Sequence, residues 1–137
     1  RKDKWLSLQK VYHRHQSNEP LDRNVYWEDE APVYRADLLD IINEHFAIDT
    51  VITHTAPSFC ELQSKNGLTD WAANDEGNLM ADVEAERQTM DDIYENLIHN
   101  NHPITHWCYG HFHQSWHSAV CDIRFKMLDI MELYEIR

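Results

Sequence analysis

Apolar positions recur along the chain with spacings typical of helices and strands. In residues 33–46 they fall at three- and four-residue steps, and Pro32 suits a first helical turn, so this segment is predicted to be a helix. The β-branched run Thr50–Thr53 predicts a short buried strand, and Pro57 prevents it from continuing. A second helical stripe predicts a long helix over residues 78–99.

The C-terminal quarter has the alternation of packed strands. Strands are predicted at 104–109, which Gly110 ends, at 118–121, at 123–130 and at 133–136. Helices alternating with strands, followed by a strand-rich tail, predict a mixed α/β (α+β) domain. Its sheet would carry helices on the outer face.

Three further segments are less regular. Residues 1–12 read as a short strand or two, and residues 13–31 as a polar loop. Residues 58–77 form a long irregular stretch, and loops of this length in compact domains are usually functional or disordered. Trp71 lies within this stretch. The bulk and apolar area of its side chain favour an anchor in the core over a lid residue.

The acidic side chains of the long helix are expected to form plain solvated surface. They are Asp82, Glu84, Glu86, Asp91, Asp92 and Glu95.

Composition narrows the function classes. The chain has 137 residues, 42% of them hydrophobic, and a formal net charge of −12. This charge argues against non-specific binding to nucleic acid, although metal ions could still hold a phosphate at one point. No segment has the ~20 apolar residues of a membrane span, and no leader opens the chain, so a cytoplasmic protein is expected. A start at Arg1 suggests a segment of something longer.

Histidines at strand ends carry the candidate chemistry. His54 follows the strand Thr50–Thr53, and His111 and His113 follow the strand that Gly110 ends. In extended backbone, residues two apart point the same way about 6.6 Å apart, so His111 and His113 would share a face while Phe112 points into the core. Imidazoles beyond the carboxyl ends of strands lie where α/β sheets bind ligands, and they bind divalent metals.

The other histidines have simpler interpretations. Five are expected on solvated surface: His13, His15, His45, His99 and His102. His106 falls inside a predicted strand, and His117 follows the Gly-His-Phe-His turn without being assigned as a ligand.

Two motifs together resemble a known family. The segments Thr53-His54-Thr55-Ala56-Pro57 and Gly110-His111-Phe112-His113 are similar to the last two metal-binding motifs of the calcineurin-like metallophosphoesterases. The order of the motifs, with a loop and a long helix between them, agrees with that family. The resemblance spans residues 1–137 but only the back half of the family's domain.

The resemblance implies a fold, a site and a reaction. The chain would be the C-terminal half of a four-layer α/β/β/α sandwich. His54 and His111 would bind one divalent ion and His113 its neighbour, the pair being Mn, Fe or Zn. The reaction would be hydrolysis of a phosphomonoester or phosphodiester by a metal-bridging hydroxide.

The family's first three motifs are absent from this sequence. They are Asp-x-His, Gly-Asp-x-x-Asp, and Gly-Asn-His followed by an acid, and they supply the bridging carboxylate and the histidine that assists the leaving group. We therefore expect residues 1–137 to be a single partial domain, inactive or nearly so alone. The missing N-terminal half would be supplied in cis or as an associated chain.

Two alternatives stay open. His54, His111 and His113, with Cys60 or Cys108, could hold a single structural Zn²⁺ without catalysis. The chain could instead be an interaction domain whose histidines are incidental. The three cysteines form no Cys-x-x-Cys pair, and reduced buried thiols are the simplest interpretation.

Overall fold

The computed structural model describes residues 31–60, 79–112 and 114–137. Within these ranges the elements are helix α1 (Ala36–His45), strand β1 (Thr50–Thr53), helix α2 (Leu79–His99), and strands β2 (His106–Tyr109), β3 (Trp116–Val120) and β4 (Ile123–Met127). Both helices and four strands therefore lie where the sequence predicts them, within about three residues at most ends. The predictions for residues 1–30, for most of the 58–77 stretch including Trp71, and for His113 lie outside the described residues.

Each helix buries only a few apolar side chains and has titratable side chains in its first and last turns. In α1 the side chain of Leu39 is buried, and the helix ends where Phe46 adopts an extended conformation with φ −130°. In α2 the side chains of Met90 and Leu97 are buried. Each helix has an aspartate in its first turn and a histidine in its last turn, which complements the helix dipole.

The strands form one mixed sheet in the order β1-β2-β4-β3. Strands β1, β2 and β4 are parallel, and α2 lies in the connection from β1 to β2. Strand β3 is antiparallel to β4 at the edge. The β3–β4 turn consists of Cys121 and Asp122, both at positive φ (49° and 67°), as in the type I′ turn that suits the twist of a hairpin.

The core lies between the helices and one face of the sheet. Trp107 of β2 and Phe125 of β4 are fully buried, and their ring centroids lie 5.9 Å apart. Tyr94 of α2 packs on both rings at 6.1 and 6.3 Å. This aromatic cluster fixes α2 over β2 and β4.

The opposite face of the sheet is partly covered by the C-terminal segment. Lys126 is buried there and makes a 2.6 Å ion pair with Glu132, while its Nζ lies 5.8 Å from the centroid of the Tyr134 ring. The strand predicted at 133–136 is wrong, because this segment has no strand structure. Strand β4 already pairs with β2 and β3 on its two sides, so the chain that follows it turns onto the face of the sheet instead of extending it.

The prediction of a solvated His102 is also wrong. The His102 side chain is buried, its Nδ1 accepts a hydrogen bond from the backbone N–H of Ile48 at 3.0 Å, and its Nε2 lies 2.9 Å from Asn43 Oδ1. Since Nδ1 accepts, Nε2 carries the proton and donates to Asn43. His45 and His99 are exposed, as predicted.

Among the described residues, no helix combines the length and the apolar character that crossing a membrane requires.

Replacing Phe125 with alanine tests the aromatic core. We expect Phe125→Ala to lower the free energy of unfolding by about 3–5 kcal/mol, because it removes a fully buried ring and leaves a cavity. Urea unfolding followed by circular dichroism measures the change. The matched control is Leu133→Ala, at a side chain that is 96% exposed, where a change within about 0.5 kcal/mol is expected. Similar losses in both variants would contradict the described core.

Candidate metal centre

The parallel pairing of β1 and β2 brings their carboxyl ends together. The last register pair is Thr53 with Tyr109, so the residues that follow each strand are neighbours. The backbone N–H of Gly110 donates to the carbonyl of His54 at 3.1 Å and extends this pairing by one step. Two segments that are distant along the chain thus share one edge of the sheet, which is where α/β sheets place ligands.

His54 and His111 meet at this edge. His111 Nδ1 lies 2.6 Å from His54 Nε2, and the two ring centroids are 4.5 Å apart with the planes at 71°. At this distance one ring donates its N–H to the bare nitrogen of the other. Both side chains are exposed. The structure therefore brings together two of the three predicted ligands, while His113 is not among the described residues.

The backbone at His111 differs from the extended conformation expected from the sequence. His111 has φ 70°, and the N–H of Phe112 donates to the carbonyl of Gly110 at 2.9 Å. A hydrogen bond from residue i+2 to residue i around a central residue of positive φ is the rarer, strained type of γ-turn. The ring of Phe112 packs against the core, as predicted, and lies 4.6 Å from the His111 ring.

The chain turns at His111, and Gly110 needs no conformation or space that only glycine allows. A Cβ on Gly110 would meet nothing closer than the Leu128 carbonyl oxygen at 3.9 Å, which is ordinary contact. A positive φ at a residue other than glycine costs on the order of 1–3 kcal/mol and clusters at functional sites. The turn therefore places strain at the residue that carries the candidate ligand.

Helix α2 anchors the loop that carries His54. Thr55 Oγ1 donates to Glu86 at 2.8 Å, and the N–H of Ser58 donates to Asp91 at 2.8 Å. Between them Pro57 is fully buried. The expectation that Glu86 and Asp91 belong to plain solvated surface is thus wrong, because each is half-buried and caps a polar group of the loop. The helical periodicity gives no signal of this role, since the partners lie more than 30 residues away.

The two imidazoles fit part of a divalent metal site. Two nitrogens that each lie ~2.05 Å from one ion are about 2.9–3.3 Å apart at tetrahedral or octahedral angles. The observed 2.6 Å separation needs only a few tenths of an ångström of opening, and both nitrogens already face each other. Within residues 31–60, 79–112 and 114–137, no group of three or more His, Cys, Asp or Glu side chains is placed to hold an ion. An ion bound by these two imidazoles would need further ligands from outside the described residues.

The two buried cysteines do not join the histidines in such a group in the described part of the chain. Burial raises the pKa of the Cys60 thiol to about 12, and the nearby Asp91 carboxylate adds to the shift. Burial also raises the pKa of Cys108. Since a metal binds the thiolate, these environments favour protonated thiols that pack as small apolar groups.

Comparison with known proteins gives no match: no family model, curated protein or solved structure matches this chain. The histidine pair and its anchored loops are therefore the observations from which a function can be proposed.

Alkylation of the thiols tests the placement of the loop beside the site. We expect iodoacetamide at pH 8 to modify Cys121, which is exposed in the β3–β4 turn, at least about 100-fold faster than Cys60. The reason is that a buried thiol with a pKa of about 12 is almost wholly protonated at this pH. Peptide mass spectrometry measures the rates, and the urea-unfolded chain, in which all three thiols react, is the control. Comparable rates in the folded chain would contradict the described packing of Cys60.

Proposed function

We propose that this chain is the C-terminal part of a calcineurin-like metallophosphoesterase. In the proposed site His54 Nε2 and His111 Nδ1 bind one divalent ion, and His113 binds a second. The observation that carries the proposal is the convergence of two imidazole nitrogens at the carboxyl edge of adjacent parallel strands. Each nitrogen belongs to one of the two motifs that resemble the family.

The chain's own residues would orient and hold the metal ligands. The bonds from Thr55 to Glu86 and from Ser58 to Asp91 fix the loop that carries His54. The γ-turn at His111 fixes the direction of the second ring. When bound, two divalent ions would supply activation of a water molecule and stabilisation of the negative charge on the phosphoryl oxygens. Preorganised ligands spare the site reorganisation when the phosphoester substrate binds.

The site needs a second half to work. Among the described residues, no third His, Cys, Asp or Glu side chain is placed to complete an ion site with His54 and His111. Imidazoles alone are a poor environment for a pair of hard or borderline cations. The bridging carboxylate would therefore come from the N-terminal half of the domain, in cis or as an associated chain.

The sheet face opposite the helices suits the docking of that half. Ile52 of the edge strand β1 is 75% exposed on this face, and Met131 and Leu133 of the segment beside it are almost fully exposed. A second sheet packed here would bury these apolar side chains and complete a four-layer sandwich.

Metal titration of single-histidine variants tests the ligand assignment. We expect His54→Ala and His111→Ala each to weaken Zn²⁺ binding by at least about tenfold. Mutation of residues that only hydrogen-bond to a metal ligand commonly lowers metal affinity by about this factor, and loss of the ligand itself should cost no less. The control is His45→Ala, at an exposed histidine at the end of α1. Isothermal titration calorimetry measures affinity and stoichiometry. Equal binding by all three variants would exclude His54 and His111 as ligands, and one tightly held ion would favour the single-zinc alternative.

Turnover of an aryl phosphate tests the need for a second half. With added Mn²⁺ we expect no hydrolysis of p-nitrophenyl phosphate by residues 1–137 alone, because the chain lacks the carboxylate motifs of the family. Extending the chain with the N-terminal half should give activity that His111→Ala abolishes and His45→Ala leaves unchanged. Robust hydrolysis by the chain alone would contradict the division of the site between two halves.

A further inference from the structure

We propose that Lys126 is a positioning residue that holds the histidine turn in place through Ser115. The inference deepens the proposed function, because the turn in question carries His111. It concerns the segment between β2 and β3, which leaves the sheet at Tyr109 and returns to it at Trp116. A strained turn in so short a connection keeps its conformation only if both ends are fixed.

The first end of this segment is fixed by backbone hydrogen bonds. The N–H of Gly110 donates to the carbonyl of His54 at 3.1 Å. From the other neighbouring strand, the N–H of Leu128 donates to the carbonyl of Tyr109 at 2.8 Å. The start of the turn is therefore held between the extensions of β1 and β4.

The second end is fixed by a buried charge. Lys126 Nζ donates to Ser115 Oγ at 2.7 Å and to Glu132 Oε1 at 2.6 Å, and Ser115 Oγ donates to the same carboxylate oxygen at 2.9 Å. The Lys126 side chain is only 10% exposed, so water competes weakly for these bonds. Ser115 lies three residues after Phe112 and immediately precedes β3, so this cluster fixes the chain where it rejoins the sheet.

The cluster is itself held by the C-terminal segment. Glu132 Oε2 accepts the N–H of Asp129 at 2.8 Å, and the Lys126 hydrogen bond together with this N–H lowers the pKa of Glu132 to about 2. The carboxylate is thus ionised across the physiological pH range and stays paired with Lys126. Residues 128–132 therefore fix both ends of the turn, one through Leu128 and the other through Glu132.

Arg124 provides a matched comparison on the same strand. It lies two residues before Lys126, on the same face of β4, and its side chain is exposed. It makes no side-chain hydrogen bond or ion pair to the described residues. Arg124→Met removes one positive charge, as Lys126→Met does, but it leaves the hydrogen bonds among Lys126, Ser115 and Glu132 intact.

Imidazole NMR of the metal-free 137-residue chain tests the proposal. In the wild type, long-range ¹H–¹⁵N spectra should show the hydrogen-bonded His54–His111 pair. We expect Lys126→Met to raise the ratio of chains with a released turn to chains with a held turn by about tenfold or more. Losing hydrogen bonds to a charged group changes an equilibrium constant by about this factor. Arg124→Met should leave the pair unchanged. An intact pair in Lys126→Met would overturn the proposal.

If Lys126→Met fails to fold, two variants of Ser115 test whether its contact with Lys126 holds the turn. Ser115→Ala removes the contact and should release the pair, whereas Ser115→Thr keeps the hydroxyl and should retain it. Retention in both variants would overturn the proposal.

A Zn²⁺ titration separates this proposal from the proposed function. Lys126→Met should bind Zn²⁺ about tenfold more weakly than Arg124→Met. A wild-type chain that shows the imidazole pair but binds no Zn²⁺ would contradict the metal site, and the NMR comparison would still decide the role of Lys126. Equal Zn²⁺ affinity, with the pair intact in both variants, overturns the positioning role.

Discussion

The parallel hydrogen bonding between β1 and β2 is the constraint on which the site depends. Its register pairs Thr53 with Tyr109, and one further bond joins Gly110 to His54. Because both strands run in the same direction, the residues that leave them emerge at the same edge. A shift by one residue would move every side chain to the other face of the sheet and separate the two imidazoles. The buried Trp107, whose Nε1 donates to Thr53 Oγ1 at 2.8 Å, helps to fix this register.

At this edge of the sheet, hydrogen bonds from neighbouring elements hold a strained backbone conformation in place. The positive φ at His111 is unfavourable, and the bonds that surround it come from β1, β4 and the C-terminal segment. Helix α2 acts in the same way on the other histidine through Glu86 and Asp91. The two histidine-bearing loops are thus held by elements that are themselves packed on the aromatic core. Such support from surrounding residues is what a preorganised metal site requires.

Local pattern predicted the elements, because the spacing of apolar residues is a short-range signal. The meeting of His54 with His111, 57 residues apart, was expected from their places after two strands and from the family resemblance. The β-branched run Thr50–Thr53 is a strand with the predicted bounds, and Gly110 lies directly after the last residue of β2. What the pattern could not give are contacts between distant residues. The burial of His102 depends on Asn43 and Ile48, and the roles of Glu86 and Asp91 depend on the loop after β1. The strand predicted at 133–136 satisfied the alternation, but the neighbouring positions beside β4 were already occupied.

The central claim is that His54 and His111 bind the same divalent ion. Anomalous diffraction at the zinc edge, from crystals of the chain grown with Zn²⁺, tests it most directly. The account predicts an anomalous peak about 2.0–2.1 Å from both His54 Nε2 and His111 Nδ1. A zinc peak at other residues, with the two imidazoles still hydrogen-bonded to each other, would contradict it.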